Sequence, residues 1–191
     1  MASIGHLAAG LCTGKWYSAR IASIYTSTLV MLSFLPDADV IGFKFGIAYE
    51  SQFGHRGASH SILFAVVVGA LVGYGVHKLT QRFDAEGGGA RAKPFGGGAG
   101  VFMALCVGVT MSHGLFDMLT DGGHGVALFW PIDDTRLFFP WQPLPVAPIG
   151  RRFFTTPRGW YVAAVESACF APLLLYALFG RWRAKKLSEA N

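Results

Sequence analysis

The stretch SILFAVVVGALVGYGV, residues 61–76, contains no Lys, Arg, Asp or Glu and decides the fold class. Residues 99–116 and 21–35 are also uncharged, and residues 160–179 contain only Glu166. A membrane-spanning helix needs about 20 mainly apolar residues, with a range of roughly 17–25. Two of the four runs reach that length, one lies at its lower limit, and the run 21–35 is too short. The pattern predicts an integral membrane protein.

The composition supports the same class. Apolar residues make up 52% of the 191 residues and charged residues 14%, whereas soluble domains contain roughly 25% charged residues. This length predicts a single domain, residues 1–191. The net charge is only +5 and no basic cluster is interleaved with aromatic residues, so nucleic-acid binding is not expected. Cys12, Cys106 and Cys169 lie in separate apolar segments, which predicts buried thiols rather than disulfides or a thiolate metal site.

The hydrophobic pattern predicts an all-α bundle of about four to five helices. The predicted helices cover approximately residues 3–14, 20–36, 60–78, 99–121 and 159–180. The glycine-rich link 84–100 is predicted to be a flexible loop. Residues 122–158 contain six prolines, which excludes one long helix and predicts short strands or an irregular lid. The aromatic residues of this lid suit either the lipid headgroup level or packing of the lid onto the bundle.

Helices that alternate in direction bring most of the polar residues to one face of the membrane. These are His6, Asp37, Asp39, His55, His60, His113 and Asp117. Imidazole and carboxylate groups are the usual nitrogen and oxygen ligands of zinc and related ions. Ten Lys and Arg residues flank the opposite face and six flank this one. The positive-inside rule therefore predicts that the polar site lies on the non-cytoplasmic side.

His113 and Asp117 are four residues apart, so their side chains share one face of a helix. They could both bind one metal ion, or the carboxylate could orient the imidazole. An isolated pair of this kind is more often structural, and so is a single histidine such as His6. Ionisable side chains at a membrane are costly, however, and this context favours a functional role.

Residues 35–39, LPDAD, end a helix at proline and predict two carboxylates in a turn, which could equally be solvated. His55 and His60 are five residues apart, a spacing that suits the entry to a helix. Arg56 could clamp a phosphate with two hydrogen bonds, or could pair with a neighbouring carboxylate. Glu166 and the loop residue His124 are weaker candidates, each with a structural alternative.

Five motifs, taken in order, resemble the YdjM-type family of LexA-regulated, membrane-bound metal-dependent hydrolases. They are Gly5-His6, LPDAD at 35–39, GHRG at 54–57 with His60-Ser61, Ser112-His113 with DMLT at 117–120, and Trp130-Pro131. That family is distantly similar to zinc phospholipase C and the fungal single-strand nucleases, which are helical phosphodiesterases. The resemblance implies metal ligands at the same seven His and Asp positions. It supports neither Asp121 nor His124, and the second His-x-x-x-Asp pair of the soluble enzymes is missing.

The resulting hypothesis is a phospholipase-like, metal-dependent hydrolase in the bacterial inner membrane. One to three divalent ions, expected to be zinc, would activate water for attack on a lipid or another phosphoester. Asp37 or Asp39 would be the general base, and Arg56 would stabilise charge on the phosphate. A non-enzymatic metal carrier and a membrane scaffold with a structural polar cluster are the alternatives. The sequence does not indicate an oligomeric state.

Overall fold

A computed structural model describes residues 3–14, 22–86 and 98–189, with side chains described for most of them. Its described part is all-helical, as predicted. The α-helices are α1 (Ser3–Gly14), α2 (Ala22–Phe34), α3 (Ile62–Glu86), α4 (Gly98–Met118), α5 (Arg152–Thr155) and α6 (Pro157–Glu189). Two 3-10 helices, Leu35–Phe45 and Ala58–His60, lie between α2 and α3. The predicted helix positions are confirmed, although several helix ends differ.

Four helical segments are long and apolar enough to cross a membrane. They are Ile24–Phe45, Ile62–Phe83, Gly98–Met118 and Pro157–Phe179. The first contradicts the expectation that this run is too short, because the 3-10 helix continues α2 and the candidate span from Ile24 to Phe45 is 22 residues long. The α-helix itself ends at Phe34, ahead of Pro36. Gly46 then ends the 3-10 helix, with a φ of 77° that favours glycine.

Helices α3 and α4 pack closely because glycines face the neighbouring backbone. A Cβ atom on Gly69 would lie 2.7 Å from the Val107 backbone, and one on Gly73 would lie 2.9 Å from the Met103 Cα. This is the role that small residues four apart usually have in membrane helices. The apolar core lies between α2 and α4 and continues onto α3. Its buried members are Tyr25, Leu29, Leu32, Phe102, Cys106 and Val109.

The segment after α4 is irregular, as predicted for a lid. Two isolated bridges, Thr120 with Leu144 and Val126 with Leu137, are its only β-type pairings in the described residues. Its last part is helical rather than lid, since α5 begins at Arg152. Most of its large aromatic side chains are exposed, among them Trp141, which agrees with an outward-facing role.

The predictions for the link between α3 and α4 and for the cysteines are confirmed only in part. The link predicted as residues 84–100 is shorter, because α3 extends to Glu86 and α4 begins at Gly98. Residues 87–97 lie outside the described residues, so their predicted flexibility stays a prediction. Cys106 is buried as predicted, but Cys12 is only half-buried and Cys169 is exposed. An apolar residue of a membrane helix can face lipid and need not be buried within the protein.

Candidate metal centre

The seven predicted ligand residues meet at one end of the helix bundle. Four elements and a loop contribute them: His6 from α1, Asp37 and Asp39 from the first 3-10 helix, His55 from the following loop, His60 from the second 3-10 helix, and His113 and Asp117 from α4. All are buried except Asp39, which is half-buried. The predicted turn carrying Asp37 and Asp39 is instead part of a 3-10 helix. Their role as metal ligands stays a prediction.

The larger set consists of Asp37, His60, His113 and Asp117, whose ligand atoms lie within 4.8 Å of one another. The Nε2 atom of His60 lies 3.7 Å from Asp37 Oδ1 and 3.4 Å from Asp117 Oδ2. The Nε2 atom of His113 lies 3.4 Å from Asp37 Oδ1 and 3.9 Å from Asp117 Oδ2. Donors held about 2.0–2.1 Å from a tetrahedral zinc ion are about 3.3–3.4 Å apart. The spacing of this set fits such an ion.

His113 is fixed in a suitable orientation by the backbone of α2. Its Nδ1 atom lies 2.7 Å from the Ser33 carbonyl oxygen, which can accept a hydrogen bond from a protonated Nδ1. In that tautomer Nε2 carries no proton and faces Asp37 with its lone pair. Metal-binding histidines usually donate their other ring N–H to a carbonyl or carboxylate in this way.

His6 lies against the same set although it comes from the far end of the chain. Its ring stacks on His113 with a centroid distance of 3.7 Å, and its Nε2 atom lies 3.9 Å from Asp117 Oδ1. Neither ring nitrogen has a hydrogen-bond partner among the described residues. Burial, with a smaller contribution from His113, holds the pKa of His6 well below its usual value. His6 is therefore a neutral imidazole, the form that binds metals.

A second set, Asp39, His55 and His60, is already joined by hydrogen bonds. The Nδ1 atom of His55 lies 2.7 Å from Asp39 Oδ1. Ser59 donates to Asp39 Oδ2 at 2.5 Å and lies 2.9 Å from His60 Nδ1. The backbone N–H of Arg56 also donates to Asp39. Asp39 therefore orients the two histidines, whereas neither side-chain oxygen of Asp37 has a hydrogen bond within the described part of the chain.

Arg56 is fully buried and points into the protein. Its Nε atom lies 3.0 Å from Asp117 Oδ2. Its Nη1 and Nη2 atoms donate to the Gly122 carbonyl and the Thr120 hydroxyl, both at 3.0 Å. Of the two roles that the sequence left open for Arg56, this geometry favours pairing with a carboxylate. Its backbone has a φ of 65°, a left-handed conformation that is uncommon for a residue other than glycine.

Among the residues that the structure describes, the acidic groups of the site outnumber the fixed positive charges. Three carboxylates, Asp37, Asp39 and Asp117, lie around one guanidinium, that of Arg56. Burial alone would lower the pKa of His60, but the carboxylates of Asp117, Asp37 and Asp39 beside its ring raise it to about 10. Without a cation the site therefore holds a proton on His60. A divalent ion would supply the missing positive charge in its place.

Three other candidate residues, Asp121, His124 and Glu166, lie outside the ligand sets. The Asp121 side chain accepts the Val146 N–H and lies 3.5 Å from Arg158, and it is about half exposed. His124 is exposed and lies 3.6 Å from Glu50. Glu166 is buried in α6, where its Oε2 atom accepts the Ile4 N–H at 2.8 Å. It therefore holds the start of α1, two residues from His6.

Sequence reasoning did not identify three residues that support the site. Ser59 links Asp39 to His60, and Thr120 receives Arg56. Arg136 donates to the carbonyl oxygens of Tyr49, Ser51 and His55, and so fastens the loop that carries His55. Serine, threonine and arginine are common in any sequence, and only the position of Ser59 beside His60 offered a signal.

Comparisons with known proteins agree with this architecture. The chain matches the family described as YdjM inner membrane protein over residues 1–187. It is 38% identical over 166 residues to Inner membrane protein YbcI of Escherichia coli K12, a match that covers 85% of this chain and 86% of that protein. No solved structure matches the chain. Together with the four candidate spans, these similarities support a multi-pass location in the inner membrane.

Proposed function

The chain belongs to the YdjM inner membrane protein family, and from that premise we propose that it is a metal-dependent hydrolase of membrane phosphoesters. The observation that carries this proposal is the buried donor set of Asp37, His60, His113 and Asp117. Burying a neutral polar group without a hydrogen-bond partner costs about 2–7 kcal/mol, and burying an unpaired charge costs more. Neither oxygen of Asp37 has a hydrogen bond within the described residues, and a cation bound between this carboxylate and the histidines that face it best explains the arrangement.

The donor set favours zinc. It combines two imidazoles with two carboxylates at a spacing that suits tetrahedral coordination, and His6 is close enough to be a further ligand. A divalent ion bound here would act as a Lewis acid toward water and toward a phosphoryl oxygen. One ion at this set is the simplest occupancy, since the donors of the second set already bind one another.

Hydrolysis needs a group that accepts a proton while the water oxygen bonds to phosphorus. The ester P–O bond then breaks, and the released alcohol oxygen takes up a proton. Asp39 is the better candidate base of the two aspartates, because it shares a hydrogen bond with His55 and does not belong to the larger donor set. Asp37 is correspondingly assigned as a ligand.

Arg56 is assigned to hold Asp117 in place, in preference to binding the phosphate directly. Its Nε atom contacts Asp117, and its two terminal nitrogens contact Thr120 and Gly122. Its positive charge still stabilises negative charge at the centre, since the low dielectric of a buried site strengthens such interactions. The face of the membrane that carries the site is proposed to be the non-cytoplasmic one, on the basis of the Lys and Arg distribution.

The test begins with the metal content of the purified full-length protein. We expect close to one zinc per chain and a lower melting temperature after chelation. The metal-loaded protein is then incubated with phospholipid vesicles and with soluble phosphodiesters such as bis(4-nitrophenyl) phosphate. We expect turnover by the wild-type protein and by the loop variant His124→Ala, and loss of turnover in His113→Ala.

Each alternative function has its own outcome in the same experiment. Stoichiometric metal without turnover of any phosphoester would favour a carrier or a structural metal site over an enzyme. No bound metal, together with stability that does not respond to chelator, would leave the polar cluster as a scaffold. Full activity of His113→Ala would overturn the proposed ligand assignment.

A further inference from the structure

An apolar groove opens beside the metal centre, on the outer side of the first turns of α3. Its volume is about 390 Å³, within the range of roughly 300–1,000 Å³ that is usual for ligand sites. Leu63 and Val67, one helical turn apart on α3, line it together with Phe53 and Trp130. Ser59 contributes the only hydroxyl among the residues that line it.

The groove connects the bilayer with the polar centre. Leu63 and Val67 belong to the candidate span Ile62–Phe83 and are each about 45% exposed, so we expect hydrocarbon on this side of α3. At the other end, the Ser59 hydroxyl donates to Asp39 and lies 2.9 Å from the His60 ring. One side chain therefore separates the apolar groove from the ligand set.

The aromatic pair marks the level of the membrane surface. Phe53 and Trp130 are in edge-to-face contact with a centroid distance of 5.9 Å, and the Trp130 N–H points to the Gln52 side chain. Tryptophan is favoured where hydrocarbon meets the headgroups, because its ring is apolar and its N–H is polar. A molecule that lies in the groove thus has its apolar part below this level and its polar part beside Ser59.

We propose that this groove binds one acyl chain of a bilayer phospholipid and so places the phosphoester of that lipid beside the metal centre. The proposal rests on the proposed function and names its substrate class. A lipid chain is the favoured occupant because the groove wall is nearly all apolar, opens toward lipid and ends at a hydroxyl. A water-soluble phosphodiester would leave the apolar wall unused.

Binding of the chain is tested without metal, so that the result does not depend on hydrolysis. The full-length protein is placed in vesicles of phosphatidylethanolamine and phosphatidylglycerol that contain phosphatidylglycerol with a photoreactive diazirine on one chain. Chelator is added before illumination, and crosslinked peptides are located by mass spectrometry. We expect the crosslinks to concentrate on residues 53–67 and around Trp130.

Two neighbouring positions on α3 provide a matched pair of variants. Val67→Trp fills the groove, whereas Val66→Trp adds the same side chain to a position that is equally exposed but does not line the groove. We expect Val67→Trp to reduce crosslinking at the groove about tenfold. A chain that loses contact with the groove over about two methylene groups binds about tenfold more weakly. Val66→Trp should leave it unchanged. Leu63→Trp is a second groove variant if Val67→Trp does not fold.

Turnover by the metal-loaded protein shows whether the bound chain belongs to the substrate. Val67→Trp should raise the KM for phospholipid about tenfold while leaving turnover of bis(4-nitrophenyl) phosphate unchanged. Equal crosslinking in the Val66 and Val67 variants would overturn the chain site. An unchanged KM despite lost crosslinking would overturn its link to the substrate. Intact crosslinking without any turnover in the wild type would retain the chain site and overturn the hydrolase.

Discussion

Each end of the bundle buries histidine, but the two ends surround it with different groups. At the end away from the metal centre, His77 of α3 lies next to the hydroxyls of Tyr25 and Thr80, with 3.4 Å from His77 Nδ1 to the Tyr25 oxygen. At the other end, His60 and His113 face Asp37 and Asp117. Burial of a histidine alone therefore does not indicate a ligand. Carboxylates packed against it are the distinguishing feature.

The largest expected effect concerns the charge that holds the carboxylates in place. Arg56→Ala removes the buried guanidinium that lies 3.0 Å from Asp117, and removing one partner of a buried ion pair costs about 3–5 kcal/mol. Arg158→Ala removes a half-exposed partner of Asp121 at 3.5 Å and should cost about 0–1 kcal/mol. Thermal unfolding of both metal-free variants in detergent measures the difference. Similar losses of stability in the two variants would mean that the Arg56–Asp117 pair does not stabilise this end of the bundle.

A second experiment compares one ligand with the histidine of the opposite end. Asp37→Asn keeps the shape of the side chain but removes its charge, and we expect metal affinity to fall by about a hundredfold or more, since even groups behind the ligands contribute 10–100-fold. His77→Gln should leave affinity unchanged. Competition with a chelator of known affinity measures both. An equal loss of metal affinity in His77→Gln would mean that the two ends of the bundle do not differ in metal binding.

The third prediction concerns pH. The folded-state pKa of His60 is about 10, above its usual value of about 6.5 in an unfolded chain. Its proton therefore stabilises the metal-free protein fully below about pH 6.5, and this contribution is lost as pH rises through 10. A metal ion must displace that proton, and the proton becomes easier to remove as pH rises. The affinity of the protein for the metal should therefore rise about tenfold per pH unit between pH 7 and 9. Calorimetric titration at several pH values should show this slope, and His60→Gln should abolish it.

The smallest expected effect concerns the helix that carries His6. Glu166→Gln keeps an oxygen that can accept the Ile4 N–H, whereas Glu166→Ala removes it. Loss of a helix cap costs about 1 kcal/mol, so Glu166→Ala should lower metal affinity several-fold through His6, and Glu166→Gln should lower it less. Metal affinity and thermal stability are measured for both variants. Equal behaviour of the two would exclude a role for this hydrogen bond.

More of the metal centre than of the lid could be predicted from the sequence. His113 and Asp117 lie on one helix at a spacing of four, so their proximity follows from helix geometry. The alternation of helices was sufficient to predict that His6 and Asp37 would lie near them. In the lid, proline content excluded a long helix, but the contacts of Arg136 with the loop at Tyr49 and Ser51 depend on how an irregular chain folds back.

The two aspartates of the LPDAD segment show what sequence spacing leaves open. They are equivalent in the sequence, and either could have been a ligand or a base. In the structure, the 3-10 helix directs Asp37 toward His113 and Asp39 toward His55 and Ser59. A shift of one residue in the end of α2 would turn both side chains toward other neighbours, and hydrophobic pattern does not fix a helix end to that accuracy.

By itself, the sequence determined that this is a helical membrane protein with its acidic and imidazole groups at one end. That follows because uncharged runs of this length are stable in lipid only as helices, whose backbone groups are satisfied internally. Only the tertiary structure decided that Arg56 turns inward to Asp117 and that Ser59 joins the groove to the ligand set. Those contacts connect residues far apart in the chain or on different elements, and their energies depend on burial that no local pattern encodes.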